Sequence, residues 1–164
     1  MTNHSWLDRL TITIPAHNEA DNIGGLVCRA SQYGEVCVVD DGSTDRTAEL
    51  AAAAGARVLR NPAGSQYGDG FIAGLQEAQS GPGIFMDAGG SHAPEDIPRL
   101  LAGLREADVV IGSRLVSGAR QWQSRRRRLL TRIGIWLFAA VSLSTPMDYS
   151  GFRAFNATAV DWLR

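Results

Sequence analysis

From Leu10 to Gly112 the apolar and polar positions fall into short blocks whose period switches between two and nearly four. "LTITIP" (Leu10–Pro15) is a β-branched run closed by proline, which predicts a strand. "EADNIGGLVCRA" then sets Ile23, Leu26, Val27 and Ala30 at helical spacing. "EVCVVDD" (Glu35–Asp41) predicts a second buried strand, ending in two aspartates and a Gly-Ser turn. Ser43 or Thr44 is placed to cap a helix over Asp45–Ala54, which Gly55 stops. "ARVLR" predicts a third strand and "FIAGLQEA" a helix, the glycine-rich loop Asn61–Gly70 lying between them. "GIFMD" predicts a fourth strand, Pro94–Arg105 a helix with Ile97, Leu100, Leu101 and Leu104 on one face, and "ADVVIGSR" a fifth strand.

Such alternation predicts an α/β fold, an open and mostly parallel sheet with helices on both faces. Ligands of these sheets bind beyond the C-terminal strand ends. Pro15, Asp40, Asp41, Asp87 and Arg114 all fall at or just past those ends. Their clustering points to an anionic ligand there and raises the question of a metal.

The pattern changes after Ser113. Four consecutive arginines, Arg125–Arg128, precede an almost wholly apolar run from Ile133 to Leu143. That run is too short to span a bilayer. It suits either a core helix or an interfacial helix pinned by arginine to anionic lipid. "MDYSGFRAF" then reads as a turn entering a short strand.

Composition adds modest limits. The 164 residues suffice for one domain with a sizeable core. A net charge of -1 gives no general attraction to nucleic acid. All 16 basic residues are arginine, whose planar fork suits phosphate. Cys28 and Cys37 lack metal-ligand spacing and read as reduced core residues of a cytoplasmic protein. "MTNHSWLDRL" has neither the basic start nor the apolar core of a secretory leader.

Each candidate motif has a plain alternative. Asp40–Asp41 suits contact with a nucleotide base or ribose, or equally a helix-capping turn. The loop "GSQYGDG" can cradle phosphate with backbone N–H groups. It is neither a Walker A loop nor a GxGxxG fingerprint, so it is weak evidence for a nucleotide. Asp87 suits a divalent cation that bridges diphosphate oxygens, since magnesium sites often use one or two carboxylates. A second carboxylate at position 89 would strengthen that reading, but Gly89 stands there. His92 reads as a structural hydrogen-bonding residue. Arg114, Arg153 and Arg125–Arg128 suit bidentate phosphate binding, although a run of charge is commonly a solvated helix face.

Taken together, "TIPAHNEADNI", "VVDDGSTDRT", "FMDAGGSHAPEDIPRLL", "ADVVIGSR" and "SGFRAF" resemble, in order, the motifs of inverting glycosyltransferase family 2. The likeness is greatest to its dolichol-phosphate or polyprenyl-phosphate mannosyltransferase group. The resemblance implies the GT-A fold, a Rossmann-like sheet, followed by a C-terminal interfacial helical segment. It implies a nucleotide-sugar core over 1–118, a membrane-interface element over 119–145, and a return strand and helix start over 146–164. By the same resemblance, Pro15, Ala16, Asn18, Glu19, Asp40, Asp41, Gly42, Asp87 and Ala88 line the nucleotide-sugar pocket. Asp87 matches the first aspartate of the family's D-x-D motif, the ligand of Mg²⁺ or Mn²⁺, with Gly89 in place of the second. Arg114, Arg125, Arg128 and Arg153 are the acceptor-phosphate candidates, and Asp87 and Arg114 carry the catalytic roles.

The expected reaction moves a hexose, mannose foremost, from a nucleotide diphosphate sugar, GDP-mannose foremost, to a polyprenyl phosphate with inversion. The expected setting is the cytoplasmic face of a membrane, approached through 125–143. A phosphate acceptor is already an anion and needs no general base, which fits the lack of an acidic pair in the sequence after Glu95–Asp96. Two alternatives remain open at this point. One is a family member acting on a hydroxyl acceptor. The other is a nucleotide-sugar-binding module without turnover, suggested by Gly89. Relatives also carry more chain after "SGFRAF", so the sequence is expected to be a short form, a fragment lacking a further C-terminal segment, or a protein completed by a partner.

Overall fold

The computed structural model describes residues 10–61, 74, 81–113 and 151–163. By its contacts the chain divides into two compact units: residues 1–111 with 151–164, and residues 112–150. Only Gly112 and Ser113 of the second unit are among the described residues. The expected boundaries at 118 and 145, the "GSQYGDG" loop and the arginine-apolar segment lie outside them.

In the first unit the elements follow as β1 (Thr11–Ala16), α1 (Ala20–Ala30), β2 (Glu35–Asp40), α2 (Thr47–Ala53), β3 (Arg57–Arg60) and β4 (Gly83–Phe85). A 3₁₀ turn (Pro94–Asp96) leads into α3 (Ile97–Gly103), then β5 (Val109–Ile111), β6 (Arg153–Phe155) and α4 (Ala157–Leu163). The sheet order is β3-β2-β1-β4-β6-β5. β1, β2, β3 and β4 pair in parallel. β6 is antiparallel to both neighbours, opposing Phe85 and Ile111 with Arg153.

Strand alternation sorts the core into two layers. Ile12, Ile14, Val36, Val38, Ile84 and Ala154 face α1, α2 and α3, which bury Ile23, Leu26, Val27, Ala51, Ile97, Leu100 and Leu101 against them. Phe85 and Phe155 face the other way and pack on Val160 of α4. On that second face Gly74, a helical residue, lies so close to Thr13 that a Cβ would overlap its side chain. Helices therefore cover both faces, as the alternation predicts.

Several expectations are corrected. The helix expected from Pro94 begins as a 3₁₀ turn and becomes α-helical at Ile97. Ser43 and Thr44 do not cap α2. Asp45 Oδ1 instead accepts the Thr47 N–H at 2.9 Å, and it also accepts the Thr47 hydroxyl in a very short bond. Cys37 is buried, but Cys28 is exposed: it lies off the apolar stripe of α1, one residue past Val27. The two cysteines are not joined by a disulfide. No helix among the described residues is long and apolar enough to cross a membrane.

Candidate functional site

The strand order reverses between β1 and β4. From β1 the chain moves outward to β2 and β3, then returns to the opposite side of β1 as β4. Loops leaving the C-terminal ends of β1 and β4 therefore splay apart, and this switch point is where an open α/β sheet leaves a crevice for ligand. The loop after β1 is residues 17–19 and the loop after β4 is residues 86–90. They meet: Glu19 Oε1 lies 3.4 Å from the place a Cβ on residue 89 would occupy.

The β1 side of the crevice is tied firmly to the loop after β2. In the strands Ala16 stands beside Asp40, and the ladder continues one residue further as Asp41 N–H donates to the Ala16 carbonyl at 2.9 Å. Asn18 adopts φ 55°, the left-handed conformation that Asn tolerates better than most residues. In that pose its Oδ1 accepts the Thr44 N–H at 2.8 Å and the Thr44 hydroxyl at 3.2 Å. Its own N–H donates to Ser43 Oγ at 3.0 Å. One residue on, Glu19 N–H donates to Thr47 Oγ1 at 2.8 Å, and Ala20 N–H donates to Asp45 Oδ2 at 3.2 Å. Asp45 thus serves the first N–H groups of two helices. The Thr47 hydroxyl, above all, holds the Asp45 carboxyl below its ordinary range. Ser43 and Thr44, expected at a helix cap, are instead the rivets between two loops.

Asp40 and Asp41 differ in their surroundings. Asp40 is buried, and its Oδ1 accepts the Ser43 N–H at 3.1 Å, closing the turn that Gly42 (φ 74°) permits. Asp41 is half-buried, with Asn61 Nδ2 donating to its Oδ1 at 3.0 Å and its carbonyl 2.9 Å from His17 Nδ1. Asp41 is the more accessible carboxylate of the two. Pro15 and Ala16 are buried beneath the crevice as part of β1, while Asn18 is exposed and Glu19 half-buried at its wall.

The β4 side presents Asp87. Met86 N–H still donates to the Thr13 carbonyl at 3.1 Å, so Asp87 is the first residue beyond the pairing with β1. Ala88 is buried, Gly89 and Gly90 are exposed, and Gly90 turns the chain at φ 69°. The Asp87 side chain keeps 33% of its surface exposed, and His92 Nε2 lies 3.5 Å from its Oδ2. His92 is buried and its ring stands 5.2 Å from that of Phe152. Gly151, in the segment leading into β6, also lies against the carboxylate. Sequence reasoning placed His92 as a structural residue and left Gly151 and Phe152 without a role. Periodicity reveals the faces of a strand, but the neighbours of β6 follow only from the sheet order.

Arg153 is half-buried in β6 beside Phe85. Arg114, Arg125 and Arg128 lie outside the described residues.

The resemblance calls for a divalent cation, and the donor set can be tested against one. No three His, Cys, Asp or Glu side chains gather into a metal cage among the described residues. Asp87 offers one hard, partly exposed carboxylate, and Gly89 offers none. That set suits Mg²⁺ or Mn²⁺ in a shell completed by diphosphate oxygens and water, and does not suit an all-protein site.

Comparison with known proteins agrees with this geometry. The model of the family described as glycosyl transferase family 2 matches residues 11–162. The chain is 32% identical to an undecaprenyl-phosphate mannosyltransferase of Micrococcus luteus, over 91% of this chain and 67% of that protein. It is 35% identical to the polyprenol monophosphomannose synthase of Mycolicibacterium smegmatis, over 93% of this chain and 63% of that protein. Among solved structures, a glucosyl-3-phosphoglycerate synthase from Mycobacterium tuberculosis, in complex with Mn²⁺, UDP and phosphoglyceric acid, superposes with a TM-score of 0.69. That match is 25% identical and covers 92% of this chain and 56% of the other. The chain thus spans between about half and two thirds of the length of these proteins. The sheet and its neighbours establish the GT-A fold that the resemblance implied.

Proposed function

The chain belongs to glycosyl transferase family 2, and from that premise we propose that it transfers a hexose, mannose foremost, from a nucleotide diphosphate sugar to a polyprenyl phosphate with inversion. The observation that carries the reading is the crevice at the sheet's switch point, where the Asp87 loop meets the Asn18–Glu19 wall. The mannosyl group and the lipid acceptor are supported by the names of the relatives from Micrococcus luteus and Mycolicibacterium smegmatis. GDP-mannose is the donor this reading favours. The arginine-rich and apolar stretch over 125–143 is its contact with the cytoplasmic membrane face.

In this reaction an oxygen of the acceptor phosphate bonds to the anomeric carbon from the side opposite the donor diphosphate. The bond from that carbon to the β-phosphate oxygen breaks, and its electron pair leaves on the nucleoside diphosphate. No proton has to be removed from the acceptor, so positioning and electrostatics carry the catalysis. Asp40 and Asp41 are the residues this reading assigns to the base and ribose, Asp41 being the more accessible of the two. Asn18 holds the crevice wall in place through Thr44. Asp87 is the residue that would hold a divalent cation, which when bound neutralises charge gathering on the leaving diphosphate. Arg114, Arg125, Arg128 and Arg153 are the acceptor-phosphate candidates.

A hydroxyl acceptor is the second reading, favoured by the likeness to a structure holding phosphoglyceric acid. The test is a thermal-shift screen of GDP-, UDP- and dTDP-sugars with and without Mn²⁺, followed by transfer of labelled sugar to a polyprenyl phosphate or to 3-phosphoglycerate. Mn²⁺-dependent stabilisation by GDP-mannose with label appearing on the lipid is the expected result. Label on the soluble acceptor alone establishes the second reading, and binding with no transfer to either overturns both in favour of a binding module.

A further inference from the structure

We propose that Gly151, His92 and Phe152 form a cradle that fixes the Asp87 carboxylate in the crevice, and that they are positioning residues for the leaving diphosphate and its cation. The proposal rests on the role given to Asp87 above.

The geometry is unusually restrictive on one side. A Cβ on Gly151 would stand 2.6 Å from both Cγ and Oδ2 of Asp87, and nearer still to Oδ1. The whole carboxylate therefore crowds the Gly151 backbone, in space that any other residue's Cβ would fill. Gly151 is not among the residues with positive φ, so the constraint is closeness, not backbone conformation. The buried His92 imidazole also stands by the carboxylate, 3.5 Å from Oδ2. Its ring is held in turn by Phe152, the neighbour of Gly151, itself buried in the main core. The segment leading into β6 thus reaches the carboxylate directly through Gly151 and indirectly through Phe152 and His92.

A second aspartate at position 89 would offer the cation a second carboxylate. Here Gly89 contributes none, so the orientation of the single carboxylate decides how well the cation and diphosphate are met. Residues that orient a ligating carboxylate typically matter by about tenfold to hundredfold in metal affinity or activity. The cradle supplies that orientation from a part of the chain remote in sequence from the loop.

The test is calorimetry on the full chain with GDP-mannose and, in parallel, UDP-glucose, each in Mn²⁺ and in EDTA. Gly151→Ala, His92→Leu and His92→Gln are compared with wild type and with Asp87→Asn. Roughly tenfold weaker binding in Mn²⁺, with binding in EDTA unchanged, is expected for Gly151→Ala and His92→Leu. His92→Gln, which keeps a side-chain N–H donor, is expected to recover most of the loss. Equal losses in Mn²⁺ and EDTA would mark a merely structural role and overturn the cradle, as would wild-type affinity in both variants. If Gly151→Ala does not fold, the contrast between the two His92 variants decides alone. A wild type whose binding gains nothing from Mn²⁺ overturns the assigned role of Asp87 and the cradle with it, an outcome distinct from failure of the cradle alone.

Discussion

The two walls of the crevice are built by different means. On the β1 side, two loops close in sequence rivet each other: Asn18 to Ser43 and Thr44, Glu19 to Thr47, Ala20 to Asp45. On the β4 side, a loop with two adjacent exposed glycines carries one carboxylate, which leans on His92 and on Gly151 from the far end of the chain. The first wall is shaped by its own hydrogen bonds before any ligand arrives. The second depends on packing against β6, and its polar work falls on a single side chain. On the proposed reading, base and ribose recognition is preorganised in this way, whereas diphosphate recognition hangs on one group.

The largest test of that contrast is Asp87→Asn. It keeps the shape of the side chain and removes the charge. Transfer is expected to fall on the order of a hundredfold or more, the scale seen when one electrostatic contact to a developing negative charge is lost. The melting temperature should stay near that of wild type. Rates within a few-fold of wild type would show that the β4 wall does not carry the diphosphate.

Gly89→Asp asks whether the weaker wall can be made like the two-aspartate loops it resembles. There is room for the Cβ, since 3.4 Å to Glu19 Oε1 is ordinary contact. The new carboxylate would then face Glu19 and repel it unless a cation lies between them. Mn²⁺ affinity in the presence of a nucleoside diphosphate is expected to rise about tenfold. In EDTA the variant should melt below wild type. Unchanged affinity by calorimetry would place residue 89 away from the cation.

The same contrast explains what could be read from the sequence. The β1 wall was legible because its parts are local: a strand ending in proline and alanine, the helical stripe Ile23, Leu26, Val27, Ala30, and two aspartates before a turn. Even there the cap was misplaced. Ser43, Thr44 and Asp45 are all good cap formers, and which one serves α2 depends on where Asn18 sits across the gap. Asp87 was legible as a carboxylate at a strand tip. Its surroundings were not, because β6 inserts antiparallel between β4 and β5, and a three-residue strand carries no signal of its neighbours. The family likeness included "SGFRAF" but gave Gly151 no reason to be glycine; the contact with Asp87 supplies one.

A smaller effect is expected from Thr47→Val in the riveted wall. Thr47 is fully buried, and its hydroxyl both accepts the Glu19 N–H and donates to Asp45. Valine keeps the volume and leaves Glu19 N–H without that acceptor, a loss of about 1–3 kcal/mol. Denaturant unfolding measures it. The loss should appear with little change in the Mn²⁺-dependent part of nucleotide-sugar binding, because that part belongs to the other wall. A variant as stable as wild type would show that the rivets are not what shapes this side.

The smallest effect is one of pH. The Thr47 hydroxyl, and after it the backbone N–H groups of Thr47 and Ala20, hold the Asp45 carboxyl below its ordinary range against the opposing pull of desolvation. A carboxyl depressed in the folded state stabilises the protein fully above its unfolded pKa, and that contribution fades as the pH falls through the folded value. Asp45→Asn should therefore melt lower than wild type at about pH 7, and the gap should narrow by about pH 3. Asp45 is solvent-exposed, so added salt should shrink the difference only as far as charge, and not hydrogen bonding, sustains it. A gap that is constant across this range would mean that the link between α1 and α2 does not depend on the ionised carboxylate, and the β1 wall would then owe its rigidity to Asn18 and Thr47 alone.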